Sequence, residues 1–331
     1  MKIPSFCTSP GRAGRLRRVL LAMAAVVVLS AAGVVGAAWY LIDYALCPTN
    51  IYTDQRRAWA DMDALYPGLQ AWGDSLRKAG VLRDTTLTAL DGTTLHALYA
   101  HAPVPTHRTA LLVHGYGSCA VGMMHLGRMY HRDFGVNILL PDLRHSGLSG
   151  GDHIQMGWLD KDDVELWADQ CPLLFGDNAT VVVHGVSMGA ATTAMLSGDS
   201  NQPPCIQLYV EDCGYTSVMD QFRKELAEQF SLPAWPLLPL ASRLCKWRYG
   251  WSFEEASAVP GVRKSRGPMF FIHGTADKYV LPWMGDSLYA AHPGPKARWW
   301  VEGAAHAKSY AHDPELYAKK VRRFLLNEHF L

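Results

Sequence analysis

Between Thr180 and Met195 the chain reads TVVVHGVSMGAATTAM, and no other stretch narrows the choice of fold as much. A β-branched run enters Gly185, Ser187 follows, Gly189 comes next, and small residues of helical character take over. Glycines placed two positions either side of a serine suit a very tight strand-to-helix turn, because neither brings a Cβ into the bend. A serine hydroxyl at the apex of such a turn stands exposed, the posture of a nucleophile. A chain with 29 glycines can also place this pattern in an ordinary loop, so its meaning depends on what the rest of the chain supplies.

The surrounding pattern is that of an α/β protein. After an Asp91-Gly92 hairpin signal come short apolar runs at 110–113, 136–140, 181–183, 206–210, 269–272 and 297–303. Segments long enough for crossover helices lie between them, at 159–175, 188–197, 215–230 and 309–327. Unbroken apolar strands alternating with helices predict a mostly parallel central sheet covered on both faces, with sites at the carboxyl ends of the strands. Residues 214–262 exceed a simple crossover, and Pro233, Pro236 and Pro239 stand there among large apolar side chains, so a small cap or elaborated loop is expected.

A serine nucleophile needs a base, an acid and an oxyanion site. Reading onward from Ser187, Asp277 follows one apolar run and His306 follows the next, each just past a strand end. The residue after the serine, Met188, offers one backbone N–H. Tyr116, between Gly115 and Gly117 at the end of an earlier strand, offers a second. Asp212, at the end of the strand after the serine's own, is the rival acid.

These motifs, HGYGS at 114–118, DLRHSGLS at 142–149, GVSMG at 185–189, DCGYTS at 212–217 and HGTAD at 273–277, resemble those of the α/β-hydrolase superfamily. The resemblance is to bacterial serine esterases and peptidase-like hydrolases and covers roughly residues 85–330. Its chain order Ser, Asp, His matches that superfamily. It implies an acyl-enzyme mechanism on a carboxylic ester, or on a thioester or peptide bond, with no cofactor and no metal. A non-catalytic membrane-anchored binding protein on the same fold is the alternative from another class. Ser146 departs from the glycine that many relatives carry in the DLRHSG stretch.

Composition removes other classes. A net charge of +1 with no basic stripe beyond the N-terminus gives no footprint for nucleic acid. The seven cysteines form no C-x-x-C pair, and no H-E-x-x-H occurs among the 14 histidines. No G-x-G-x-x-G or phosphate loop is present, which leaves a small-molecule ester or acyl substrate as the expected partner.

The N-terminus carries Lys2, Arg12, Arg15, Arg17 and Arg18 ahead of an uncharged run of 24 residues, Val19 to Ile42. At ~1.5 Å per residue that run reaches about 36 Å, enough for a hydrocarbon core of roughly 30 Å. The expected organisation is a basic cytoplasmic tail (1–18), a membrane-spanning helix (19–42), a juxtamembrane helical segment (43–82) and a hydrolase domain (83–331). The excess of arginine before the span, with Trp39, Tyr40 and Tyr44 after it, predicts a single-pass protein of the cell membrane with its catalytic domain outside. A cleaved signal peptide, ending near Gly36-Ala37-Ala38, is the competing reading.

Overall fold

The computed structural model describes residues 12–49 and 51–331; Lys2 and Cys7 lie outside the described residues. Helix α1 spans Arg12–Leu46, followed by α2 (Gln55–Leu65) and α3 (Leu69–Lys78). The hairpin β1 (Leu82–Thr88) and β2 (Thr94–Ala100) opens the sheet. Next come β3 (Arg108–Val113), α4 (Met124–Arg128), β4 (Asn137–Pro141), α5 (Asp160–Phe175), β5 (Thr180–Val186), α6 (Met188–Leu196) and β6 (Ile206–Asp212). Three helices, α7 (Val218–Phe230), α8 (Ala234–Tyr249) and α9 (Ala258–Lys264), separate β6 from β7 (Met269–Gly274). The chain ends with α10 (Pro282–Ala291), β8 (Lys296–Val301), α11 (Ser309–His312) and α12 (Pro314–Asn327).

The eight strands form one sheet in the order β1-β2-β4-β3-β5-β6-β7-β8. β1 pairs antiparallel with β2 and β2 with β4, while every pair from β4 to β8 is parallel. Alternation along each strand divides the core between the two faces. Leu111, Val113, Val181, Val183 and Phe271 point to the side of α5, α6 and α8. Ala110, Leu112, Val182, Ile272 and Leu208 point to the side of α3, α4 and α12. Both faces of each central strand are therefore buried, the physical reason these runs carry no polar alternation.

Two elements differ from expectation. The proline-rich stretch, expected as a small cap or elaborated loop, folds as helix α8. Pro233 precedes it, and a break at Trp235 (φ −94°, ψ 134°) makes the regular turns begin at Pro236, so Pro239 falls in their first turn, where a missing N–H removes little helical bonding. Helix α1 does not stop at Ile42 but continues to Leu46. It is long and apolar enough to cross a membrane.

From Arg15 to Gly33 the α1 side chains are exposed, whereas Ala38, Ile42 and Leu46 are buried and Val34 is half-buried. A spacing of four puts these residues on one helix face, and that face joins the core beside α8. Burying the Ile42 and Leu46 side chains contributes about 1.5–3 kcal/mol each. The helix end is also closed by the domain: Tyr116 Oη donates to the Ala45 carbonyl at 2.9 Å, and Ile154 N–H to the Leu46 carbonyl at 2.7 Å. Both carbonyls belong to the last turn, which has no partners within the helix. The C-terminal end of α1 is thus continuous with the domain's core.

Candidate active site

The turn between β5 and α6 forms as its glycines require. Ser187 has φ 59° and ψ −119°, a conformation costly for a residue with a Cβ. A Cβ on Gly185 would overlap the Gly189 carbonyl, and one on Gly189 would overlap the Val113 carbonyl of the neighbouring strand. Glycine at these positions lets α6 start directly against the sheet, and Ser187 is left at the bend, only 9% exposed.

Ser187 Oγ lies 2.8 Å from His306 Nε2, and His306 Nδ1 lies 2.7 Å from Asp277 Oδ2. The three residues come from the ends of three strands, β5, β7 and β8, and only the parallel order of those strands brings them together. Asp277 is itself held, because its Oδ1 accepts from the Tyr279 and Val280 N–H groups at 2.8 and 2.9 Å. A carboxylate so placed accepts a hydrogen bond from the His306 Nδ1–H, which keeps the proton on Nδ1 and leaves Nε2 free to accept from the Ser187 hydroxyl.

Gly115 sits against the serine: a Cβ added to it would lie 3.1 Å from Ser187 Cβ. The peptide between Gly115 and Tyr116 therefore runs beside the hydroxyl. Met188, the first residue of α6, has one of the N–H groups that a helix start leaves without a partner. Among the described residues, no backbone carbonyl outside the regular elements accepts from the N–H of Tyr116 or Met188.

No protein-family model matches the chain. YqkD of Bacillus subtilis, an uncharacterized protein, is 31% identical over 229 residues, covering 69% of this chain and 74% of YqkD. Among solved structures, the Pyrococcus furiosus esterase Pf2001 superposes with a TM-score of 0.62 at 20% identity, covering 76% of this chain and 93% of the esterase. A bacterial membrane phospholipase A superposes with a TM-score of 0.55 at 15% identity, covering 82% of this chain and 95% of that one.

The chain belongs to one family with YqkD and has the α/β-hydrolase fold.

Within this fold the rival acid, Asp212, is engaged elsewhere. Its carboxylate accepts from Ser309 Oγ at 3.0 Å and Tyr317 Oη at 2.9 Å, and burial pushes its pKa up to about 6. The network continues inward. His184 Nε2 is 3.0 Å from Tyr317 Oη, and His184 Nδ1 is 3.0 Å from Tyr130 Oη. Burial pushes His184 down to about 3, so it stays neutral, donating to Tyr317 and accepting from Tyr130.

Two further residues support the loop that carries Tyr116. His114, kept neutral by burial, contacts the Gly115 carbonyl through Nδ1 at 2.8 Å and accepts the Leu143 N–H on Nε2 at 2.9 Å. Asp142 accepts from the Ala120 N–H at 2.6 Å and the Leu148 N–H at 2.9 Å, tying two loops together. A Cβ on Gly147 would overlap the Asp142 carboxyl, which explains the glycine in DLRHSG. Ser146, in that same stretch, is buried. Arg144 pairs with Asp163, at 2.6 Å, and with Asp91 on the hairpin turn, away from the serine.

A cavity of about 620 Å³ opens beside Ser187 and Met188. Helices α7 and α8 form one side, and the last turns of α1, through Leu41, Ile42 and Ala45, form another. Sequence reasoning treated α1 as a tether, and no local signal marks it as a cavity wall. Its i, i+4 stripe of Val34, Ala38, Ile42 and Leu46 reads equally well as part of any membrane helix.

Proposed function

We propose that this protein is a serine hydrolase that cleaves carboxylic esters through an acyl-enzyme. The observation that carries the proposal is the hydrogen-bonded line from Ser187 through His306 to Asp277 at the edge of an apolar cavity. Ser187 Oγ attacks the ester carbonyl carbon while His306 Nε2 takes its proton. Asp277 keeps the imidazole in the required tautomer and stabilises it when charged. The N–H groups of Met188 and Tyr116 receive the developing oxyanion. The bond to the leaving alcohol breaks as His306 returns the proton to it. Water, activated by the same histidine, then adds to the acyl carbon and frees the acid and the serine.

The cavity favours an ester over a peptide. Its walls are mainly hydrocarbon and aromatic, with few groups to pair a peptide's N–H and C=O, and each buried group left unpaired costs about 1–3 kcal/mol. The arginines ahead of Val19, in the first turns of α1, support insertion with the N-terminus in the cytoplasm and the catalytic domain on the outer side of the cell membrane. The test is labelling by a fluorophosphonate together with hydrolysis of a small aryl ester. Wild type should react in both assays. Ser187→Ala should lose both while keeping its circular dichroism, and retained turnover in that variant would overturn the proposal.

A further inference from the structure

The helix that enters the membrane and the cavity beside the serine share residues. Ile42 is buried in the core at the cavity wall, with Trp39 and Tyr40 less than one turn outward on α1, on a helix whose opposite face stays packed on the domain as far as Val34. A crossing of about 20 residues that begins at Val19 ends at Ala38. The cavity therefore lies within two turns of the bilayer boundary. Trp247 of α8, 77% exposed, packs its ring 6.1 Å from that of Trp39, and Trp235 is 78% exposed. Exposed tryptophans beside a membrane helix belong at the headgroup level, where an apolar ring and a polar N–H are both accommodated.

The polar part of the cavity comes from α7. Gln221, Glu225 and Gln229 recur every four residues and so share a face of that helix, and all three line the cavity. Gln221 is 2% exposed; its Nε2 donates to the Tyr279 carbonyl at 2.9 Å and to Glu225 Oε1 at 3.1 Å, while its Oε1 has no protein partner. A buried acceptor without a donor calls for one from outside the protein. Lys224 pairs with Glu225 and Glu228, at 2.9 and 2.8 Å, and no lysine or arginine lines the cavity among the described residues. Glu225 is the charged side chain among those that line the cavity, so the wall offers carboxylate oxygens and no cation of its own.

We propose that the substrate is an uncharged, hydroxyl-bearing acyl ester lipid of the acylglycerol type, drawn from the adjoining leaflet. Its hydrocarbon chain lies against Leu41, Ile42 and Ala45 of α1, and its hydroxyls donate to Gln221 and Glu225. An anionic headgroup finds no cation there and meets Glu225 instead, a like-charge contact that raises the free energy of binding. The proposal rests on Ser187 acting as the nucleophile. Hydrolysis adds one water and releases a fatty acid and the polyol.

The test uses the full-length protein in neutral detergent micelles. Monopalmitoylglycerol is compared with palmitoyl lysophosphatidylglycerol, the same chain carrying an anionic phosphate, and with monobutyrylglycerol. The expected kcat/KM for the first exceeds that for each of the others at least tenfold. Glu225→Lys should narrow or reverse the preference over the anionic lipid; Glu225→Gln, which keeps the size of the side chain, should narrow it in the same direction. Equal turnover of neutral and anionic lipids by wild type, or no gain from the longer chain, would overturn the lipid assignment while aryl-ester hydrolysis continues. Loss of aryl-ester hydrolysis and of fluorophosphonate labelling in wild type would instead remove the serine hydrolase reading, and this inference with it.

Discussion

The Tyr116 side chain hydrogen-bonds the Ala45 carbonyl at 2.9 Å, joining the loop beside Ser187 to the last turn of α1. One residue thus holds α1 through its hydroxyl and, in the proposed mechanism, offers its N–H to the oxyanion. Tyr116→Phe keeps the N–H and removes the hydroxyl. The expected cost is about 1 kcal/mol of stability from the lost hydrogen bond. A loosened loop should also lower kcat on an aryl ester a few-fold, with labelling by fluorophosphonate retained. Thermal unfolding and steady-state kinetics on the full chain check both effects, and a variant indistinguishable from wild type in each would show that the bond does no coupling.

Two buried aspartates near His306 separate by role. Asp277→Asn should lower kcat by on the order of 10²–10⁴, because asparagine neither fixes the tautomer nor stabilises the imidazolium. Asp212→Asn should leave the chemistry nearly intact and act on stability, since that carboxylate bonds Ser309 and Tyr317 rather than His306. The reverse pattern in kcat would name Asp212 as the acid.

Glu211 sets a pH dependence of stability. It is fully buried, one carboxylate oxygen accepts from the Gly214 N–H and the other has no partner; burial pushes its pKa up to about 8. An acid whose folded pKa is raised stabilises the fold most when protonated, and that contribution is lost as pH rises through the folded value. His125, half-buried, and His184, fully buried, are both pushed down to about 3 by desolvation and contribute with the opposite sign only below their ordinary value of 6.5. Burial also lifts Asp160, to about 7, so its share of the decline ends early in the interval from pH 6.5 to 8. Over that interval Glu211 should remove about 2 kcal/mol of stability. Unfolding midpoints should fall across this range in wild type and remain nearly level in Glu211→Gln; an equal slope in the variant would exclude Glu211 as the cause.

Orientation in the membrane is open to a direct measurement. Alkaline phosphatase fused after Thr49 should be active and a fluorescent protein at the same point dark, as the arginines before Val19 require. The opposite pair of results would place the domain in the cytoplasm. Release of the protein from membranes by salt, with a mature end near Trp39, would identify a signal peptide instead.

The strands, their order of appearance and the serine turn are legible in the sequence because each has a local physical cause. A strand buried on both faces must be apolar throughout, as at Val181–Val183, and a turn this tight admits only glycine at 185 and 189. The separate strand-end positions of Asp277 and His306 are legible for the same reason. Helix α8 was not legible within the expected cap or elaborated loop, because the effect of prolines at 233, 236 and 239 depends on where the helix begins.

Tertiary structure alone decided the rest. Which aspartate meets His306 depends on the path of the loop after β7, since Asp212 and Asp277 both stand at strand ends. Likewise, nothing in the pattern of residues 34–46 distinguishes a helix that leaves the domain from one that lines its cavity. Contacts between segments as far apart in sequence as Ala45 and Tyr116 are settled by packing, because an apolar stripe specifies that a face must be covered but not which surface covers it.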